Sequence, residues 1–157
     1  MLSMHANLYA MPADAAGGPQ LELFGQLLAT ITHTAGGPPR FLATLPVTFE
    51  QMQASLAELP RSDLEPDGYF LLTGESASQD SAARFWRLNG HMHEYAPPGS
   101  EPMMHRLELH GECPSESLDA VLRTVGWPTT ELAFELVREG VTLGEKEFRR
   151  WAEARHP

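Results

Sequence analysis

The stretch Arg84-Phe-Trp-Arg-Leu-Asn-Gly-His-Met-His-Glu-Tyr-Ala-Pro-Pro-Gly-Ser-Glu-Pro-Met-Met-His-Arg-Leu-Glu-Leu-His110 decides the fold. Asn89-Gly90 is its strongest local signal, because a two-residue type I′ turn needs positive φ at both central positions and Asn-Gly tolerates it. A hairpin is therefore expected, joining Arg84–Leu88 to His91–Tyr95. In that hairpin Arg84, Trp86, Leu88, His91, His93 and Tyr95 share one face, while Phe85, Arg87, Met92 and Glu94 take the other. After the loop at Pro97-Pro98-Gly99, Met104 to His110 alternates apolar and polar residues, as a returning antiparallel strand does. Upstream, Tyr69 to Thr73 reads as a further strand, and its Leu71-Leu72 pair suggests burial on both faces and a central position.

The expected centre is thus an antiparallel β-meander of three to five strands over about residues 68–110. Helices are expected at both ends, giving an α+β fold. Before the meander, Leu21, Phe24, Leu27, Leu28 and Ile31 recur at offsets of three and four, which predicts a short helix. Phe41 to Val47 is interrupted by Pro46 and can be an edge strand at best. Thr48-Phe-Glu-Gln51 has the capping-box arrangement and starts a helix to Leu59. After the meander, Leu118, Val121, Leu122 and Val125 form the stripe of a helix that opens at Pro114-Ser115 and stops at Gly126. Residues 130–139 fit a helix or a strand on Leu132, Phe134 and Leu136, and the helix is preferred. Thr142-Leu-Gly-Glu145 is a second capping box, opening a last helix that buries Phe148 and Trp151 and pairs Glu145 with Arg149. Residues 10–20 mix small residues with Pro and Gly, so residues 1–20 are expected as a flexible arm and 21–157 as one α+β domain.

A chain of 157 residues can bury a sizeable core without metal or disulfides. The single cysteine, Cys113, precludes an intramolecular disulfide. The first twenty residues carry no Lys or Arg to begin a signal peptide, and no apolar run approaches the ~18 residues of a membrane span. A cytoplasmic protein is expected. Arg outnumbers Lys ten to one, the bias of a GC-rich, bacterial type of genome. A net charge of −10 argues against nucleic acid and anionic membrane as partners. The stretch Arg84–His110 departs from this, with Arg84, Arg87 and Arg106 balancing Glu94, Glu101 and Glu108.

Three groups of residues have chemical potential. Four of the seven histidines lie between positions 91 and 110. His91 and His93, two apart on a strand, project to one side and make half of a metal site; His105, or Glu108, from the neighbouring strand supplies the third ligand. The metal would be a transition ion such as zinc. Cys113 precedes a helix start, where the dipole favours the thiolate, and His110 stands near enough in sequence to act as its base. Trp86, Tyr95, Trp127 and Trp151 would anchor a protein partner if exposed. No Gly-x-Gly-x-x-Gly or Walker motif is present to cradle a nucleotide. The arginines closing the last helix complement its dipole, so a helix-turn-helix reading is not favoured.

Two readings of function follow. The first is a small interaction or regulatory module without catalytic activity, needing no cofactor and binding another protein or itself. The second is a metal-dependent or small-ligand-binding enzyme centred on His91, His93 and His105.

Overall fold

A computed structural model describes residues 1–76 and 84–155. In chain order the elements are β1 (Leu2–Ala10), β2 (Ala15–Leu23), β3 (Gln26–His33), α1 (Phe49–Ala57), β4 (Ser62–Leu64), β5 (Tyr69–Ser76), β6 (Arg84–Tyr95), β7 (Met103–Cys113), α2 (Ser115–Arg123), β8 (Leu132–Leu136), β9 (Val141–Gly144) and α3 (Glu145–Ala154). Among the described residues the strands form one nine-stranded sheet in the order β2-β3-β9-β8-β1-β7-β6-β5-β4. Every pairing is antiparallel. The α+β class and the β5-β6-β7 meander agree with the sequence pattern, but the sheet is larger than three to five strands and most of its extra strands come from segments expected as arm or helix.

The N-terminal segment, expected as an arm, supplies the middle strand. Leu2, Met4, Ala6, Leu8 and Ala10 of β1 are buried on one face, with Ser3, His5 and Asn7 between them on the other. That period of two matches the pleat of a strand held between β7 and β8. β2 follows at the sheet edge, where Pro19 removes no needed donor and a register shift between Gly17 and Gln20 absorbs the irregularity. The helix expected over 21–31 is a hairpin. Phe24 and Gly25 both have positive φ, 49° and 73°, the signature of a two-residue type I′ turn. Its apolar residues do not form a helical stripe: Leu28 is buried while Phe24 and Leu27 are exposed.

Asn89-Gly90 is not a turn. It lies within the continuous twelve-residue β6, and the reason is cross-strand. Gly90 stands opposite Phe70, whose ring fills the space where a Cβ would sit: an added Cβ would lie 2.1 Å from Phe70 Cζ. Gly74 accommodates the Trp86 ring in the same way. A ring lying over a strand glycine restores the packing that the glycine lacks. Without the turn the alternation never resets, so Trp86, Leu88 and Met92 lie on the covered face and His91 and His93 on the opposite one. Gly90→Ala should therefore overpack this contact and cost about 1–3 kcal/mol, lowering Tm in thermal melts by several degrees. An unchanged Tm would contradict the packing assigned to Phe70.

Residues 130–139 are also strand rather than helix: β8 buries Leu132, Ala133, Phe134 and Leu136 between β1 and β9. Thr142 is buried within β9, so the second capping box does not form; α3 starts from Gly144, without a side-chain cap, on an acidic first turn. The first box is present, with Thr48 and Gln51 bonding reciprocally at the start of α1. α2 carries its stripe as expected, and Gly126 takes φ 96° after it. Phe41 to Val47 forms no strand, although Leu45 N–H donates to Met104 O at 2.7 Å and Met104 N–H to Val47 O at 2.9 Å.

All three helices cover one face of the sheet and share one apolar core with it. Phe134 of β8 stacks on Phe148 of α3 at 4.0 Å, and Trp151 lies 5.8 Å from Phe148. The opposite face has no helix over it among the described residues and carries mostly polar and aromatic residues, with Phe41 lying over Tyr9.

Candidate functional site

The helix-free face carries a row of directly opposed residues that crosses seven strands. From β5 to β3 it reads Tyr69, His91, Glu108, Asn7, Glu135, Thr142 and Ile31. Beside it His93 faces Arg106, and on the other side Asn89 faces His110, which faces His5. Side chains opposed across antiparallel strands stand roughly 5 Å apart at Cβ, so such a row is a continuous chemical surface.

His91, His93 and Glu108 converge within it. One ligand atom from each lies within 4.8 Å of the other two, and all three side chains are half-buried. Tyr69 stacks on the His91 ring at 3.8 Å and fixes its plane. His91 Nε2 is 3.3 Å from the Asp67 carbonyl; when that nitrogen carries the proton and donates, Nδ1 keeps a free lone pair. His93 Nε2 is 3.4 Å from Glu108 Oε2. Burial lowers the His93 pKa, with the Arg106 charge and His91 acting in the same direction against Glu108. The neutral ring, the form that ligates metal, is favoured.

A tetrahedral ion with bonds near 2.1 Å needs its donors roughly 3.4 Å apart, which modest side-chain rotations provide. Two imidazoles and one carboxylate form a donor set for zinc or another divalent first-row ion, with at least one coordination position left open.

His105 is not the third ligand. The β6–β7 register shifts between His93 and Glu94, pairing His93 with Arg106 and Glu94 with Met104, so His105 is the unpaired residue of a bulge. Its Nε2 bonds the Phe41 carbonyl at 2.7 Å, and its ring lies 5.6 Å from Tyr9 and 5.7 Å from Tyr95. Glu108 takes its place. Tyr9, Asn7 and Glu135, not expected as site residues, gather beside the cluster. Glu135 Oε2 accepts from Asn7 Nδ2 at 2.9 Å and from the Tyr9 hydroxyl at 3.3 Å. Tyr9 stacks on Phe41 at 3.9 Å, and burial followed by Glu135 raises its pKa. The alternation of β1 is what places Asn7 and Tyr9 here, and it was available in the sequence.

Cys113 and His110 do not form a couple. Three residues apart on one strand, they lie on opposite faces: Cys113 is buried opposite Leu2, whereas His110 is exposed opposite His5. Burial, opposed only in part by the Arg149 charge, pushes the thiol pKa up to about 12, so desolvation outweighs the nearby helix start. A disulfide reagent such as DTNB should leave the native protein unlabelled at pH 8 and react with one thiol after denaturation. Rapid native labelling would overturn this placement.

The four expected anchors separate. Trp151 is fully buried and belongs to the core. Trp127 is half-buried, donating to Glu145 Oε2 at 2.6 Å beneath the Arg149 guanidinium. Trp86 is half-buried over Gly74, and Tyr95 is exposed.

His5, 4.7 Å from the His110 ring, has its pKa lowered by burial first and then by His110, Arg138 and Arg155, against Glu108. Its neutral form is favoured in the fold, so the unfolded chain binds more protons below about pH 6.5. Stability is full above that pH and declines as pH falls toward the lowered folded value. Melts of metal-free protein between pH 7 and 5 should show a falling Tm, and His5→Gln should reduce the slope; an equal slope in the variant would remove His5 as its source.

Among the described residues no helix is long and apolar enough to cross a membrane. No protein-family model matches the chain, and neither a curated protein nor a solved structure matches it.

Proposed function

We propose that the protein is a cytoplasmic metal-dependent protein that holds one divalent transition ion, zinc being the representative case, through His91, His93 and Glu108 on the helix-free face of its sheet. The observation that carries this reading is the convergence of three ligand atoms within 4.8 Å from two neighbouring strands. The open coordination position gives the ion a role toward a small ligand or substrate. Elemental analysis of protein purified without chelator or affinity-metal resin should find a transition metal near one equivalent. Chelation should lower Tm by about 5–10 °C, since a ligand at about 100 times its Kd stabilises the fold by roughly 2.7 kcal/mol. Protein that carries no metal and whose melting does not respond to added zinc would end this reading.

A second reading, an interaction or regulatory module without catalytic activity, is favoured by the exposed aromatics Tyr69, Phe85 and Tyr95 on the same sheet. It predicts self-association in native mass measurements or a partner retained from the source lysate. A strictly monomeric protein with no retained partner would count against it.

A further inference from the structure

Beside the three ligands stands a cation, Arg106, that forms no ion pair with a carboxylate among the described residues. Arg106 is directly opposite His93 in the β6–β7 register, so both side chains leave the sheet on the same face. The guanidinium also reaches the Tyr9 hydroxyl, which accepts a hydrogen bond from it. Arg106 Nε is buried without a hydrogen-bond partner among the described residues. A buried donor left unmade costs about 1–3 kcal/mol, more for a charged group. The nearby acids are otherwise engaged, Glu108 with His93 and Glu135 with Asn7 and Tyr9.

Guanidinium is a planar donor group that matches carboxylate and phosphate oxygens, and the smaller, singly charged carboxylate suits a site with one cation beside one open coordination position. The ion proposed above would have an open position on the same face, and a divalent ion, Glu108 and Arg106 together leave the site net positive on a protein of net charge −10. We propose that the site takes a small carboxylate, one oxygen on the metal and the other on Arg106. This rests on the metal-binding reading and names the ligand class it would serve. Arg106 acts here by binding the ligand rather than the ion.

The test uses the full chain loaded with one equivalent of Co²⁺, whose visible absorption reports its coordination, and acetate as the probe. Acetate should shift the spectrum saturably. Arg106→Gln should weaken acetate binding by about tenfold or more, the loss of one charge-assisted hydrogen bond, while Co²⁺ affinity changes by less than about threefold. Should that variant fail to fold, Arg106→Lys keeps the charge but replaces the fixed planar donors with a flexible point charge, and should still weaken acetate by about threefold or more. Chloride, a single atom with no second oxygen to offer Arg106, should bind at least about tenfold more weakly than acetate. If Co²⁺ does not bind the native chain, the metal reading falls and this inference with it. If Co²⁺ binds but acetate leaves the spectrum unchanged, binds the variants equally well, or is matched by chloride, the carboxylate assignment is overturned and the metal site stands.

Discussion

Trp151→Ala should lower the unfolding free energy by about 3–5 kcal/mol and Tm by on the order of 10 °C. The indole is fully buried at the centre of α3's inner face, next to the Phe148–Phe134 stack and under the Arg155 guanidinium at 4.6 Å. Removing it leaves a cavity that the helix cannot close without dragging Phe148 from Phe134. The indole Nε1 has no partner among the described residues, so the loss is one of packing rather than of a hydrogen bond. Chemical denaturation of the variant is the direct check. Tyr95→Ala provides the contrast: the side chain is 46% exposed, and its removal should stay within about 0.5 kcal/mol. Similar costs for the two variants would contradict this division between core and surface aromatics.

His93→Ala should reduce affinity for zinc by about 100-fold or more while leaving Tm of the metal-free protein within a few degrees of the native value. His93 is half-buried on the helix-free face, with its ring against His91 and its Nε2 near Glu108, both of the same site. Removing one of three ligands leaves two, too few to hold a structural or catalytic ion at ordinary concentrations. Glu108→Gln should have a similar effect with less change in shape. His105→Ala should leave zinc affinity unchanged, because its nitrogen is committed to the Phe41 carbonyl. Titration calorimetry on the three variants separates these outcomes, and a loss at His105 equal to that at His93 would restore the ligand set expected from the sequence.

Much of the architecture could be read from local pattern. The alternation of Met104–His110, the Thr48–Gln51 box and the stripe of α2 all became the elements that they suggested, and Tyr69–Thr73 became a strand, though one beside the edge strand β4 with Leu71 half-buried rather than a central one. What escaped was set by partners distant in the chain. Asn89-Gly90 is a turn by every local criterion, and only the Phe70 ring across the sheet explains why the strand runs through it. That one misreading placed the histidines on the face of Trp86 and Leu88. Phe24 is an unusual residue at φ 49°, so the β2–β3 hairpin gave no turn signal, and its apolar spacing mimicked a helix. β8 is a short apolar run that periodicity cannot assign. The candidate site was half legible: the two-residue spacing of His91 and His93 on a strand is local, whereas the choice of Glu108 over His105 depends on a bulge.

X-ray absorption at the zinc edge tests the central claim most directly, because it identifies the donor atoms of the bound ion. One equivalent of zinc on the native chain should show two imidazole nitrogens at about 2.0–2.1 Å and oxygen donors at about 2.0–2.2 Å. In Glu108→Gln that first shell should no longer form. A sulfur donor at about 2.3 Å, or a shell of oxygens without imidazole, would place the ion elsewhere and contradict the account.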